Sequence, residues 1–115
     1  MSPVVVAFVP DLMDRSRLAG LGPTFAATVG QLGELVDAAG VGRCIVVVDL
    51  TRSGALDAAA EQVTRGVRCI GVAPHVDAEL RSAAVDAVVQ VVARSRFFAD
   101  PVQVLGSPNV QPPSR

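Results

Sequence analysis

The sequence predicts an α/β domain of doubly wound type: a five-stranded parallel sheet of order 2-1-3-4-5 between two helical layers, α/β/α. Three observations predict it. Four short segments, Val4–Val9, Cys44–Val48, Arg68–Val72 and Val88–Val92, are continuously apolar and rich in Val or Ile. Continuous apolarity without alternation marks parallel strands covered on both faces. The stretches between them carry apolar residues at helical spacing, and strand and helix alternate from Val4 to Gly106.

The elements follow in order. After the first strand a short helix is expected over Asp14–Leu21, cut off by Gly20, Gly22 and Pro23. Thr24–Val29, following the Gly22-Pro23 breaker, is the weakest strand candidate. Gln31–Ala39 places Leu32, Leu35, Val36 and Ala39 on one helical stripe and stops at Gly40. Ala55–Arg65 does the same with Leu56, Ala59, Ala60 and Val63 and stops at Gly66. Asp77 is an N-cap for a helix over Ala78–Asp86 with Leu80, Ala83, Ala84 and Ala87 inward. A last short helix begins after Ser95 or Asp100, where Pro101 suits a first turn. The domain is expected over residues 1–106, and the Pro-rich residues 107–115 as a loose tail.

Composition removes several function classes. Half of the 115 residues are hydrophobic, enough for a real core. No apolar run approaches the ~20 residues of a membrane span, and the opening Met-Ser-Pro-Val lacks the basic start of a signal peptide. A net charge of −1 and the absence of Tyr and Trp argue against a nucleic-acid surface. Cys44 and Cys69 sit in apolar runs, as reduced core thiols of a cytoplasmic protein do. All 10 basic residues are arginine, which excludes Schiff-base chemistry and a P-loop lysine. The glycine pairs Gly20-Leu21-Gly22 and Gly40-Val41-Gly42 precede strands, whereas a dinucleotide fingerprint follows one.

In this sheet type ligands bind beyond the carboxyl ends of the strands, at the switch point between the first and third. The first strand runs into Pro10-Asp11, the third into Asp49-Leu50-Thr51-Arg52, the fourth into Pro74-His75, and the fifth into Arg94-Ser95-Arg96. Asp11 and Asp49 are therefore brought near each other. Two neighbouring carboxylates repel unless a cation bridges them or one is protonated, and a hard ion such as Mg²⁺ is the cofactor they would hold. Arg15, Arg52, Arg94 and Arg96 are placed to clamp an anion or to pair with Asp11, Asp14 and Asp49. His75, the lone histidine, is expected to be an ordinary loop imidazole.

Over residues 3–105 the chain resembles a response-regulator receiver domain, whose fold is flavodoxin-like. The resemblance rests on Val9-Pro10-Asp11, where that family keeps an acidic pair, and on Asp49 after Ile45-Val46-Val47-Val48, where it keeps its phosphoacceptor. It implies Asp49 as the phosphoryl-accepting residue, and Asp11, Asp49 and the Thr51 backbone carbonyl as metal ligands. The chain departs from the pattern at Pro10, at Ala73 or Pro74 where a hydroxyl belongs, and at the missing lysine, for which Arg94 is the nearest cation. The resemblance is thus to a degenerate, or pseudo-, receiver. It implies a non-enzymatic signalling or scaffolding module that binds protein partners. The short first and last helices leave apolar surface on the face they share, through which a homodimer is expected to form. Two other readings stand beside it: a phosphorylatable single-domain regulator, and a domain binding a small anion or nucleotide.

Overall fold

The computed structural model describes residues 3–75 and 77–106, so the expected tail lies outside the described residues. The strands are β1 (Val4–Phe8), β2 (Thr24–Phe25), β3 (Cys44–Asp49), β4 (Arg68–Ala73) and β5 (Gln90–Ala93). They form one sheet of order β2-β1-β3-β4-β5 with every pairing parallel. This is the expected doubly wound, flavodoxin-like arrangement. The helices are α1 (Leu12–Leu18), α2 (Leu32–Ala39), α3 (Ala55–Thr64), α4 (Ala78–Asp86), α5 (Arg94–Ala99) and α6 (Pro101–Gly106). No helix among the described residues is long and apolar enough to cross a membrane.

Strand alternation divides the core into two layers. Val6, Phe8, Val46, Val48 and Cys69 point to one side, where Leu32 and Val36 of α2, Ala58 and Ala59 of α3 and Ala84 of α4 meet them. Val5, Ala7, Val9, Ile45, Val47, Ile70 and Val72 point to the other, covered by Leu18 of α1, Phe97 of α5 and Leu105 of α6. The first and last helices therefore share a face, as the topology requires. Phe97 is fully buried and stacks edge-on against Phe98 at 5.0 Å, and its burial contributes about 2–3 kcal/mol.

Four expectations are corrected. Helix α1 starts at Leu12 rather than Asp14, because the Asp11 carboxylate accepts from the Met13 and Asp14 amides and caps it there. Only Thr24–Phe25 of the Thr24–Val29 segment pairs, since β1 offers register partners only at Val6 and Ala7. The buried stripe of α3 is Ala55, Ala58, Ala59 and Gln62, with Leu56 and Val63 at its flank. The small alanines let the helix approach the sheet closely while the larger side chains fill the groove beside it. Finally, β5 starts at Gln90, not Val88. Val88 holds φ +59°, closing α4 with a hydrogen bond donated by the Val89 amide to Ala84 O, a left-handed geometry that costs a β-branched residue about 1–3 kcal/mol.

Candidate functional site

The carboxyl ends of β1, β3 and β4 and the start of α5 enclose a cleft of about 320 Å³ lined by Asp11, Asp14, Asp49, Thr51, Arg52, Pro74 and Arg94. The topology thus brings the sequence-predicted Asp11, Asp49 and Thr51 together. Each acid already has local partners. Asp11 Oδ1 accepts from the amides of Met13 at 2.9 Å and Asp14 at 3.1 Å. Those bonds, the Asp14 amide foremost, hold its carboxyl below the ordinary value. Asp49 Oδ1 accepts from the Thr51 amide at 2.9 Å and from the Thr51 hydroxyl at 2.6 Å. The other Asp49 oxygen faces Arg52 Nε at 3.5 Å.

The turn that presents Asp49 depends on a glycine one strand away. Leu50, the residue after Asp49, donates its amide to Val72 O at 2.9 Å and so prolongs the β3–β4 ladder. Its side chain lies over Gly71, where a Cβ would meet Leu50 Cγ at 2.7 Å. Gly71 is therefore required by close approach rather than by backbone dihedral. A Cβ there requires the Leu50 side chain to shift.

The residue that sequence reasoning treated only as an arginine partner is Asp14. It is buried, with a relative exposure of 4%, and both of its oxygens engage Arg94, one of them from Nε at 3.2 Å. Arg94 also lies 5.6 Å from the centre of the Phe98 ring. The bond to Asp14, then its charge and the nearby charges of Asp11 and Asp49, raise the Arg94 pKa. A signal for Asp14 existed in the sequence: it stands one helical turn before the buried Leu18, on the inward face of α1.

The other candidates disperse. Arg15 donates Nε to Val9 O at 2.9 Å and lies over Phe25, away from the cleft. Arg96 lies along β5. His75 is exposed and makes no hydrogen bond or ion pair among the described residues. Cys44 and Cys69 are buried free thiols, and burial pushes Cys69 up to about 12, far from a reactive thiolate.

The expected metal set is two carboxylates and one main-chain carbonyl. Among the described residues no three or more His, Cys, Asp or Glu side chains are grouped to hold an ion. Asp14 is committed to Arg94, and the inner Asp49 oxygen to Thr51. Three carboxylates and two guanidinium groups line the cleft, an excess of negative charge. No family model matches the chain, and no curated protein or solved structure matches it.

Proposed function

We propose that this chain is a receiver-like interaction module, a pseudo-receiver that works by binding other proteins rather than by a full phosphorylation cycle. The observation that carries the reading is the Arg94–Asp14 pair. A cation that would answer a new charge on Asp49 is already held by a buried carboxylate, and the remaining acids are engaged by capping and turn bonds. Releasing Arg94 leaves Asp14 buried and unpaired, which is costly. The cleft therefore stabilises the fold and resists rearrangement.

The reading includes self-association through the face covered by α1, α5 and α6. Pro3, Val5, Leu21, Ile45, Val102 and Leu105 border an apolar groove of about 340 Å³ there. Light scattering at micromolar concentration checks it, and a clean monomer counts against it. The phosphorylation question has its own test. The intact chain is incubated with acetyl phosphate and Mg²⁺, beside Asp49→Ala, and weighed by mass spectrometry. The expected result is no phosphoryl increment. An increment that Asp49→Ala abolishes makes Asp49 a working phosphoacceptor and overturns the reading.

A further inference from the structure

The edge of the sheet opposite β2 offers a different kind of site. β5 pairs only with β4. Among the described residues no main-chain hydrogen bond is made by Gln90, Val91 or Val92 on the side away from that ladder. All four β5 residues are half-buried rather than covered. Beside them opens a concavity of about 320 Å³ lined by Gln90–Ala93, Val104, Arg81 and Arg96. An uncovered edge strand is a template for another extended chain, whose backbone completes the unpaired donors and acceptors.

The two arginines define which chain. Both are exposed, and neither guanidinium group makes a hydrogen bond or ion pair among the described residues. They stand on opposite sides of the sheet. Arg81 belongs to α4, which packs through Ala84 into the layer of Val6, Val46 and Cys69. Arg96 belongs to α5, which packs through Phe97 into the layer of Val47 and Ile70. Successive side chains of a strand point to opposite faces. An added strand meets both guanidinium groups only when it carries acidic residues at odd separation, as neighbours or three apart. Apolar residues flanking them face Val91, Val92 and Val104.

From this geometry we infer that the β5 edge, flanked by Arg81 and Arg96, is a docking site for an extended acidic segment of another protein, added as a sixth strand with adjacent acidic side chains. The inference rests on the interaction-module reading and supplies the chemistry of its partner. A second copy of this chain is not the occupant. A two-fold β5–β5 contact places one set of arginines against the other, and like charges across an interface repel.

The test uses the full chain and a fluorescein-labelled, end-blocked peptide, Val-Thr-Val-Glu-Asp-Val-Thr-Val, followed by anisotropy. Binding is expected, weakened at least tenfold by Arg81→Glu/Arg96→Glu. Comparable losses are expected when Gln and Asn replace the two acids, when the acids are moved two positions apart, and when alternate amides are N-methylated. Circular dichroism verifies that the exposed double variant stays folded. Equal affinity for the neutral or the N-methylated peptide overturns the site. So does an absence of binding at millimolar peptide, which would leave the arginines as guards against edge-to-edge pairing. Self-association that depends on Arg81 and Arg96 would make a second copy the occupant and overturns the inference as well. The acetyl phosphate measurement is independent of all these outcomes. A failed peptide titration with no Asp49 increment removes the docking site alone, whereas an Asp49-dependent increment removes the module reading itself.

Discussion

In the strand-end cleft each arginine faces a carboxylate; along the edge of β5 neither does. Arg94 and Arg52 are paired with Asp14 and Asp49, two ion pairs within one cleft. Arg81 and Arg96 flank a strand paired on one side only, beside a concavity whose lining holds no acid. Paired charge in a half-buried cleft fixes local structure, while unpaired charge beside an open edge costs little to keep solvated and remains available to a partner. The comparison separates a region that holds the fold from a region that has something left to bind. It also explains why the position most suggestive in the sequence is not the most available one in the structure.

Substitutions sharpen the contrast, because those around the cleft should cost stability and those at the edge should cost only binding. The largest expected effect is Gly71→Ala. Its new methyl group collides with Leu50, and overpacking of this kind costs about 1–3 kcal/mol, measured by urea denaturation. Little change would mean that Leu50 yields freely and that the Asp49 turn is not anchored by β4. Next comes Arg94→Ala, which leaves the Asp14 carboxylate buried without its partner. Because Arg94 itself is partly exposed, the expected cost is smaller than that of breaking a wholly buried pair. Asp14→Ala should cost less than Arg94→Ala. The double substitution should cost less than the sum of the two, the signature of a direct interaction in a double-mutant cycle.

Asp11→Ala removes the N-cap of α1 and is expected to lower the melting temperature by less than Arg94→Ala does. The wild-type cap carries a pH signature. Its carboxyl is lowered in the folded chain relative to the ordinary 3.8. The cap's contribution is therefore complete above that value and fades as the pH falls through the lowered one. Acid titration of the melting temperature should show a shallower decline for Asp11→Ala than for wild type. The smallest effects belong to the edge. Arg81→Ala and Arg96→Ala should each lie within about 0.5 kcal/mol of wild type, even though both weaken binding of the acidic peptide. A large stability loss from either would show that the edge arginines are structural, erasing the contrast.

How far the sequence discloses these regions depends on the length scale of the physics involved. Strand and helix identity is local, and the apolar runs of Val4–Phe8, Cys44–Asp49 and Arg68–Ala73 announce buried parallel strands directly. The boundaries that shifted were decided by single interactions. The Asp11 cap moved the start of α1, and the left-handed turn at Val88 postponed β5 to Gln90. Asp11, Asp49 and Thr51 could be placed in one cleft because strand ends are fixed by topology. The Arg94–Asp14 pair is one of several pairings the sequence offers, and which acid Arg94 takes is decided only in the fold, since the two residues lie far apart in the chain. The dependence of the Asp49 turn on Gly71 is likewise a contact between neighbouring strands, invisible until their register is known. The solvated state of Arg81 and Arg96 is less legible still, since it depends on what does not surround them.

The contrast between the two regions meets its most direct test in one amide chemical-shift map of the full chain, recorded by NMR as the Val-Thr-Val-Glu-Asp-Val-Thr-Val peptide is added. Perturbations concentrated at Gln90–Ala93, Arg81 and Arg96, with Asp11, Asp49–Arg52 and Arg94 unmoved, are the predicted result. Perturbations centred on the cleft, with β5 silent, would contradict the account.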